Sequence, residues 1–220
     1  MSLLKSSIGR KILMAVSGLS LLMFVSVHFI GNSTIFVGPD WINSYAQHLH
    51  DLGPFVWLFR GFMLLMLSIH VYFGIVLTLE NWAANPGKYA VSKNLKSSFA
   101  SRMMIWTGLS LLAFITYHLM HFTMRILPGV VQSTDGLGRF DVHSMIVAGF
   151  LDKRISGLYI LAMVILFLHL SHGVQSLFQT IGTNNDRSMP IFNILGKVIA
   201  IFLLIGYSAI PILTIAWIIS

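Results

Sequence analysis

Cysteine is absent from the 220-residue chain. Its absence excludes disulfides, thiolate zinc sites, cysteine-held iron–sulfur clusters and covalently attached c-type haem. Charged residues are also scarce, at 10% of the sequence against roughly 25% in a soluble domain. So few charges cannot cover a water-facing surface, and 56% of the chain is hydrophobic, with a mean hydropathy of +0.81. The composition therefore indicates an integral membrane protein.

Five apolar stretches are long enough to cross a bilayer, which takes about 20 helical residues. Turn-forming Gly, Pro, Asn and Asp residues fill the gaps between them. Lys5, Arg10 and Lys11 precede the first stretch without a following cleavage site, so we expect an uncleaved helix. Pro211 lies inside the fifth stretch and is a candidate kink. We expect an all-α fold in which residues 1–220 form one transmembrane domain, with helices at 12–36, 55–80, 103–127, 155–180 and 192–219.

Positive charge lies in the gaps between the apolar stretches. The net charge is +7, but the basic residues do not share one solvated face, so they do not indicate nucleic-acid binding. The side of the membrane that holds the N-terminus carries nine Lys and Arg residues, and the other side carries five. Because cytoplasmic loops are enriched in Lys and Arg, we expect the N-terminus inside and the C-terminus outside.

The chain contains an internal repeat. Residues 17–28 (SGLSLLMFVSVH) and 107–118 (TGLSLLAFITYH) are identical at seven of twelve positions. A weaker echo relates His70-x-x-x-Gly74 to His169-x-x-x-Gly173. We therefore expect the first four helices to be a duplicated helical hairpin in which every helix keeps one histidine.

The depth of these four histidines sorts them into two pairs. With a rise of about 1.5 Å per residue, His28 and His118 lie toward the outer face, and His70 and His169 lie toward the inner face. We call them the outer pair (His28 and His118) and the inner pair (His70 and His169). An ionisable residue inside a membrane helix is costly and marks a functional site by default. Two imidazoles from separate helices are what bis-histidine ligation of a haem requires, and helix bundles commonly hold cofactors this way. The pattern predicts two b haems, with the iron held by these four residues.

Several side chains could modify this assignment. A single membrane histidine is as well explained by a hydrogen bond to a neighbouring helix; four at two matched depths favour ligands. Gly18, Gly108, Gly74 and Gly173 lack a Cβ and would let a porphyrin edge approach, although small residues also pack membrane helices. His121 and His172, one turn beyond His118 and His169, are alternative ligands or hydrogen-bond partners. We expect exposed side chains at the outer-loop histidines, which are His48, His50 and His143.

The four segments resemble a known family. Ser17-Gly18…His28, Thr107-Gly108…His118 and His169-x-Ser171-x-Gly173, together with His70, are similar in order and spacing to the di-haem cytochrome b anchor subunits of succinate dehydrogenases and fumarate reductases. The resemblance covers nearly the whole chain. It implies a bacterial cytoplasmic membrane, a flavoprotein and an iron–sulfur subunit on the inner face, and membrane quinone, usually menaquinone, as substrate.

The resemblance also implies roles for other residues. The inner pair would hold the haem near the iron–sulfur subunit, and the chain would perform no dicarboxylate chemistry. Some family members use membrane glutamates for protons, but the only Glu here is Glu80, and position 167 is Phe. Asp51, His48 and His50 are candidates for handling protons at an outer quinone site, and Ser17, Ser171 and Gln175 are candidate polar contacts to quinone. By depth, Arg10, Lys11 and Arg102 could neutralise the propionates of the inner haem, and Arg125 those of the outer one. Lys88, Lys93, Lys96 and Arg102 are candidates for docking the soluble subunits, although the inner-side charge bias alone explains them.

Two other kinds of protein remain open. Another di-haem cytochrome b, such as the membrane subunit of a hydrogenase or a formate dehydrogenase, would share the haems and differ in the electron donor. A transporter would use the histidines as a proton relay or a metal site. The helices offer few other polar residues, which disfavours the transporter.

Overall fold

The computed structural model describes residues 6–84, 102–183, 185 and 187–219. This part of the chain is helical, with no β-strand beyond one isolated bridge between Thr134 and Phe140. The predicted all-α class is confirmed.

Five helices are long and apolar enough to cross a membrane, as predicted. Their lengths of 20 to 30 residues, counting short terminal turns, match the thickness of the bilayer core. The 3₁₀ turn Thr34–Phe36 extends the first, and a π-helical turn at Leu119–Thr123 extends the third. They are α1 (Ser7–Ser33), α3 (Pro54–Ala83), α4 (Met104–His118), α6 (Lys153–Thr180) and α7 (Ser188–Ile215).

Two shorter helices occupy segments that the sequence suggested were loops. They are α2 (Pro39–Asp51) and α5 (Val142–Leu151). The turn signal Gly38-Pro39 is also a helix start, because proline suits the first helical position. Asp141 begins α5 by accepting a hydrogen bond from the Ser144 backbone N–H. Both helices lie where the chain turns back, at the end of the bundle where α1 ends, which we call the outer end.

The long helices α1, α3, α4 and α6 form a four-helix ring. Neighbours in this ring are α1 and α3, α3 and α4, α4 and α6, and α6 and α1. Helix α7 packs along α6 and also contacts α1 and α5. It continues through the buried Pro211 to Ile215. The ring therefore surrounds an axis on which side chains from four helices meet.

The best-packed part of the described chain is at the outer end. Ile35, Ile42, Met145, Ile146, Phe150, Tyr159 and Ile210 form one buried cluster that joins α2, α5, α6 and α7. In contrast, many large apolar side chains on α3 are exposed in the monomer, as expected where lipid is the neighbour. The outer end is thus a packed cap on the four-helix ring.

Substitution of Gly206 should test the contact between α7 and α1. A Cβ added there would overlap the ring of Phe29, which is wedged edge-on between Phe202 and Tyr207. Because overpacking of this kind is destabilising, we expect Gly206→Ala to cost about 1–3 kcal/mol. The measurement is thermal unfolding in mild detergent.

Gly61→Ala is the matched control for that variant. A Cβ at Gly61 meets no atom within 4 Å, so the melting temperature should not fall. Equal melting temperatures for the two variants would contradict the contact described.

Candidate functional site

The four predicted ligand histidines meet in two pairs on the ring axis. The imidazole centroids of His28 and His118 are 6.0 Å apart, with the rings at 81° to each other. Those of His70 and His169 are 6.2 Å apart, with the rings at 72°. These are the pairs that depth along the helices predicts. The structure therefore creates two sites, each with two facing imidazoles from different helices.

Glycines determine how closely the inner pair approaches the other two helices. A Cβ on Gly18 would lie 3.0 Å from Cε1 of His70, and a Cβ on Gly108 would lie 3.4 Å from Cε1 of His169. Gly18 and Gly108 therefore make room for imidazoles. The expected role, to let a porphyrin edge approach, is not the contact that the structure shows there. His28 and His118 each follow their glycine by ten residues, which puts the outer pair about 15 Å away along the helix axes.

Hydrogen bonds favour the same tautomer in both residues of the inner pair. Nδ1 of His70 lies 3.2 Å from the Met14 carbonyl oxygen, an atom that can only accept, so Nδ1 carries the proton. Nδ1 of His169 lies 3.1 Å from Oγ1 of Thr107, whose single hydroxyl proton is directed at the Met103 and Met104 carbonyl oxygens, 3.0 and 3.1 Å away. Nδ1 of His169 therefore also donates. In both residues Nε2 retains its lone pair and can bind a metal.

Tyr159 supplies the corresponding contact at the outer pair. Its hydroxyl oxygen lies 3.4 Å from Nδ1 of His118 and 3.0 Å from Nδ1 of His121. His121 is buried in the π-helical turn, and the ring that faces His28 is that of His118. The alternative in which His121 partners His28 is therefore not the arrangement found. In the same way, His169 rather than His172 faces His70.

The predicted quinone contacts are mostly occupied within the protein. Ser17 is 1% exposed and donates to the Leu13 carbonyl oxygen at 2.7 Å. Ser171 donates to the Leu168 carbonyl oxygen at 2.9 Å. Gln175 donates to the sulfur of Met189 at 3.4 Å. Their predicted role toward quinone stays a prediction.

The predicted propionate partners differ in their surroundings. Arg10 forms an ion pair with Glu80, and its Nε is buried without a hydrogen-bond partner among the described residues. The Arg125 guanidinium stacks on the ring of Phe140 at 4.3 Å. Lys11 and Arg102 are exposed. The remaining predicted docking residues, Lys88, Lys93 and Lys96, lie outside the described part of the chain.

Asn43 connects α2 with the start of α5 in the outer cap. It is 1% exposed, and its amide donates to Oδ1 of Asp141 at 3.1 Å and to Oδ2 of Asp135 at 3.4 Å. Its carbonyl oxygen accepts the backbone N–H of His143 at 3.0 Å. Helix α2, which follows α1, is thereby tied to the start of α5 and to the segment that precedes it.

Arg139 makes a second connection across the cap. Its guanidinium donates to Asp135 at 2.8 Å, to Asp40 at 2.7 Å and to Ser44 at 2.6 Å. The hydrogen bond from Arg139 lowers the pKa of Asp135, and the same carboxylate raises the pKa of Arg139. Asp40, Asp135 and Arg139 line an open cavity of about 510 Å³. Both partners therefore stay charged at neutral pH.

The exposed state predicted for His143 is wrong. The residue is 7% exposed because α5 carries it into the cap rather than into a loop. Burial lowers the pKa of His143, and the nearby Asp141 carboxylate opposes that shift. Burial acts to raise the pKa of Asp141, but hydrogen bonds from Ser144 and Asn43 outweigh it, so the pKa lies below its ordinary value.

The other predicted outer histidines are exposed, as expected. His48 and His50 lie in the last turn of α2, and Nδ1 of His50 is 4.0 Å from the Asp51 carboxylate. The open cavity beside Arg139 is not lined by His48, His50 or Asp51. Their proposed role in proton handling stays a prediction.

The two histidine pairs fit the haem implied by the resemblance. A metal–imidazole nitrogen bond of about 2.0–2.1 Å, as measured for zinc, implies ring centroids about 6 Å apart when two imidazoles share one metal. The observed separations of 6.0 and 6.2 Å agree. Nowhere in the described ranges do three or more His, Cys, Asp or Glu side chains gather around a metal position. Two nitrogen ligands alone suit a metal whose remaining ligands come from a macrocycle.

The glycines one turn beyond the inner pair also leave room beside its imidazoles. All four imidazoles remain partly exposed although four helices surround them. A Cβ on Gly74 would meet no atom within 4 Å, and one on Gly173 would meet only Met104, at 4.0 Å. The helices are thus not packed tightly against one another beside the inner pair.

Comparisons with protein-family models, curated proteins and solved structures find no match to this chain. The geometry of the site therefore stands on the residues described above.

Two residues of this site were missed in the sequence. Tyr159 lies ten residues before His169 on α6, and that offset, about 15 Å, predicts the level of the outer pair. Asn43 gave no comparable signal, because its partners are 92 to 100 residues away.

Asn43→Ala should destabilise the outer cap. The change removes two hydrogen bonds to carboxylates and leaves the buried His143 N–H without its acceptor. An unsatisfied buried polar group costs about 1–3 kcal/mol, and we expect a loss in that range in detergent unfolding experiments. Gln47→Ala, which removes an exposed contact with Asp51 on the same helix, should change stability by less than about 0.5 kcal/mol. Equal effects would show that Asn43 does not hold the cap.

Proposed function

We propose that this chain is a membrane cytochrome b that binds two b haems, one between the outer pair and one between the inner pair. The observation that carries the proposal is the spacing of the imidazoles, 6.0 and 6.2 Å between centroids, on helices able to cross a membrane. Two aromatic rings in a T-shaped contact have centroid separations in the same range. Two such contacts, both on the ring axis and both between the histidines of a sequence repeat, favour ligation.

The residues around the inner pair prepare it for this role. The Met14 carbonyl and the Thr107 hydroxyl accept the Nδ1 protons of His70 and His169, which leaves each Nε2 as the ligating atom. Acceptors of this kind orient the rings and raise the basicity of the ligands. When bound, haem iron supplies one-electron oxidation and reduction. The two levels, about 15 Å apart, give the chain two redox sites between the faces of the membrane.

Within this class we infer a membrane-anchor subunit of a succinate:quinone oxidoreductase. The support is the resemblance of the four histidine segments in order and spacing. The chain would carry electrons between an iron–sulfur subunit and membrane quinone, usually menaquinone in di-haem members. The flavoprotein subunit, which performs the dicarboxylate chemistry, and the iron–sulfur subunit would bind on the inner face, nearer the inner pair. The setting is a bacterial cytoplasmic membrane with the N-terminus inside.

Single ligand variants test the two haem sites separately. His118→Leu should lose the outer haem and keep the inner one, and His169→Leu should do the reverse, because each iron loses one of its two protein ligands. The measurement is haem per polypeptide together with the reduced absorption spectrum.

His172→Leu is the matched control, one turn from His169 on the same helix. It should keep both haems because its ring does not face His70. Loss of a haem in His172→Leu, with both retained in His169→Leu, would contradict the ligand assignment.

The electron donor tests the assignment to succinate:quinone oxidoreductase. We expect succinate to reduce at least one haem in a preparation purified in mild detergent with its co-purifying subunits, with dithionite giving the total. Reduction by hydrogen or formate instead would indicate a different respiratory complex that uses the same haem-binding chain.

A further inference from the structure

The two histidine pairs have different hydrogen-bond surroundings. At the inner level, Gly18 and Gly108 contact the rings, and single acceptors take the Nδ1 protons of His70 and His169. At the outer level, the position ten residues before His169 is Tyr159, whose phenol reaches two histidines. The asymmetry is built from residues outside the sequence repeat.

The hydrogen bonds that join His118, Tyr159 and His121 have a definite direction, because each nitrogen or oxygen has a limited number of protons. If Nε2 of His118 binds iron, Nδ1 carries a proton and donates it to the Tyr159 oxygen, 3.4 Å away. The phenol has a single proton, which it then donates to Nδ1 of His121 at 3.0 Å. His121 is therefore the Nε2–H tautomer. The result is a three-member chain in which His121 strengthens Tyr159 as an acceptor.

Tyr159 and His121 are buried among aromatic rings. Tyr159 is 7% exposed and His121 is 3% exposed. The ring of His121 lies 4.0 Å from that of Phe122 and 5.5 Å from that of Tyr117, centroid to centroid. The π-helical turn that carries His121 begins directly after His118, and such turns are frequent at functional sites.

We propose that Tyr159 and His121 are positioning residues for His118 that set the redox midpoint of the outer haem independently of the inner one. The proposal rests on the proposed function. An acceptor on Nδ1–H makes an imidazole a more basic ligand, which favours the oxidised iron. Tyr159 therefore holds the outer midpoint below the value that the same two imidazoles would otherwise give.

Tyr159→Phe tests the proposal, because it keeps the aromatic ring and removes the hydroxyl. We expect the equilibrium constant for reduction of the outer haem to rise about tenfold, which is about 59 mV for one electron, with the inner midpoint unchanged. The outer haem is identified as the one lost in His118→Leu. Thr107→Val is the matched variant, which should raise the inner midpoint and leave the outer one in place.

A second pair of variants keeps the test valid if Tyr159→Phe does not retain haem. His121→Leu removes the acceptor of the phenol and should raise the outer midpoint by a smaller amount. His121→Gln offers an amide oxygen in its place and should restore the wild-type value. An unchanged outer midpoint in Tyr159→Phe or His121→Leu, or equal movement of both haems, would overturn the proposal alone. A wild-type preparation without haem would overturn it together with the proposed function.

Discussion

An imidazole inside a lipid bilayer needs partners for both of its nitrogens, and that requirement organises the centre of this protein. In water the ring nitrogens would be solvated, but among apolar helices each lost hydrogen bond is expensive. Nδ1 finds a hydrogen-bond partner in Met14, Thr107 or Tyr159 for three of the four histidines. The ring centroids of the two pairs lie 6.0 and 6.2 Å apart, the separation that a shared metal would set.

The long helices could be predicted from the sequence because an apolar run of sufficient length has few alternatives to crossing a membrane. Predicted and observed helix ends differ by up to five residues, as at the start of α1. The two short helices could not be predicted in the same way. Gly38-Pro39 and Asp141 are read equally well as turns or as helix starts, and the packing of α2 on α5 and of α5 on α7 favours the helices. His143 was wrongly expected to be exposed for the same reason.

The pairing of the histidines was accessible because the helical rise converts residue number into depth. The hydrogen-bond partners of these histidines were harder to predict from the sequence. Met14 acts through its backbone carbonyl, which no side-chain pattern reveals. Tyr159 is one of several aromatic residues on α6 and α7, and only its offset from His169 distinguishes it. Asn43 depends on contacts across most of the chain, which a single sequence does not encode locally.

The central claim is that four histidines hold two haems. The most direct measurement is the haem content of the purified wild-type protein, from the pyridine haemochrome spectrum and the polypeptide concentration of the same sample. The account predicts two b haems per chain. A folded, intact preparation with no haem, or with one, would contradict it, and a colourless protein would favour a histidine-containing transporter.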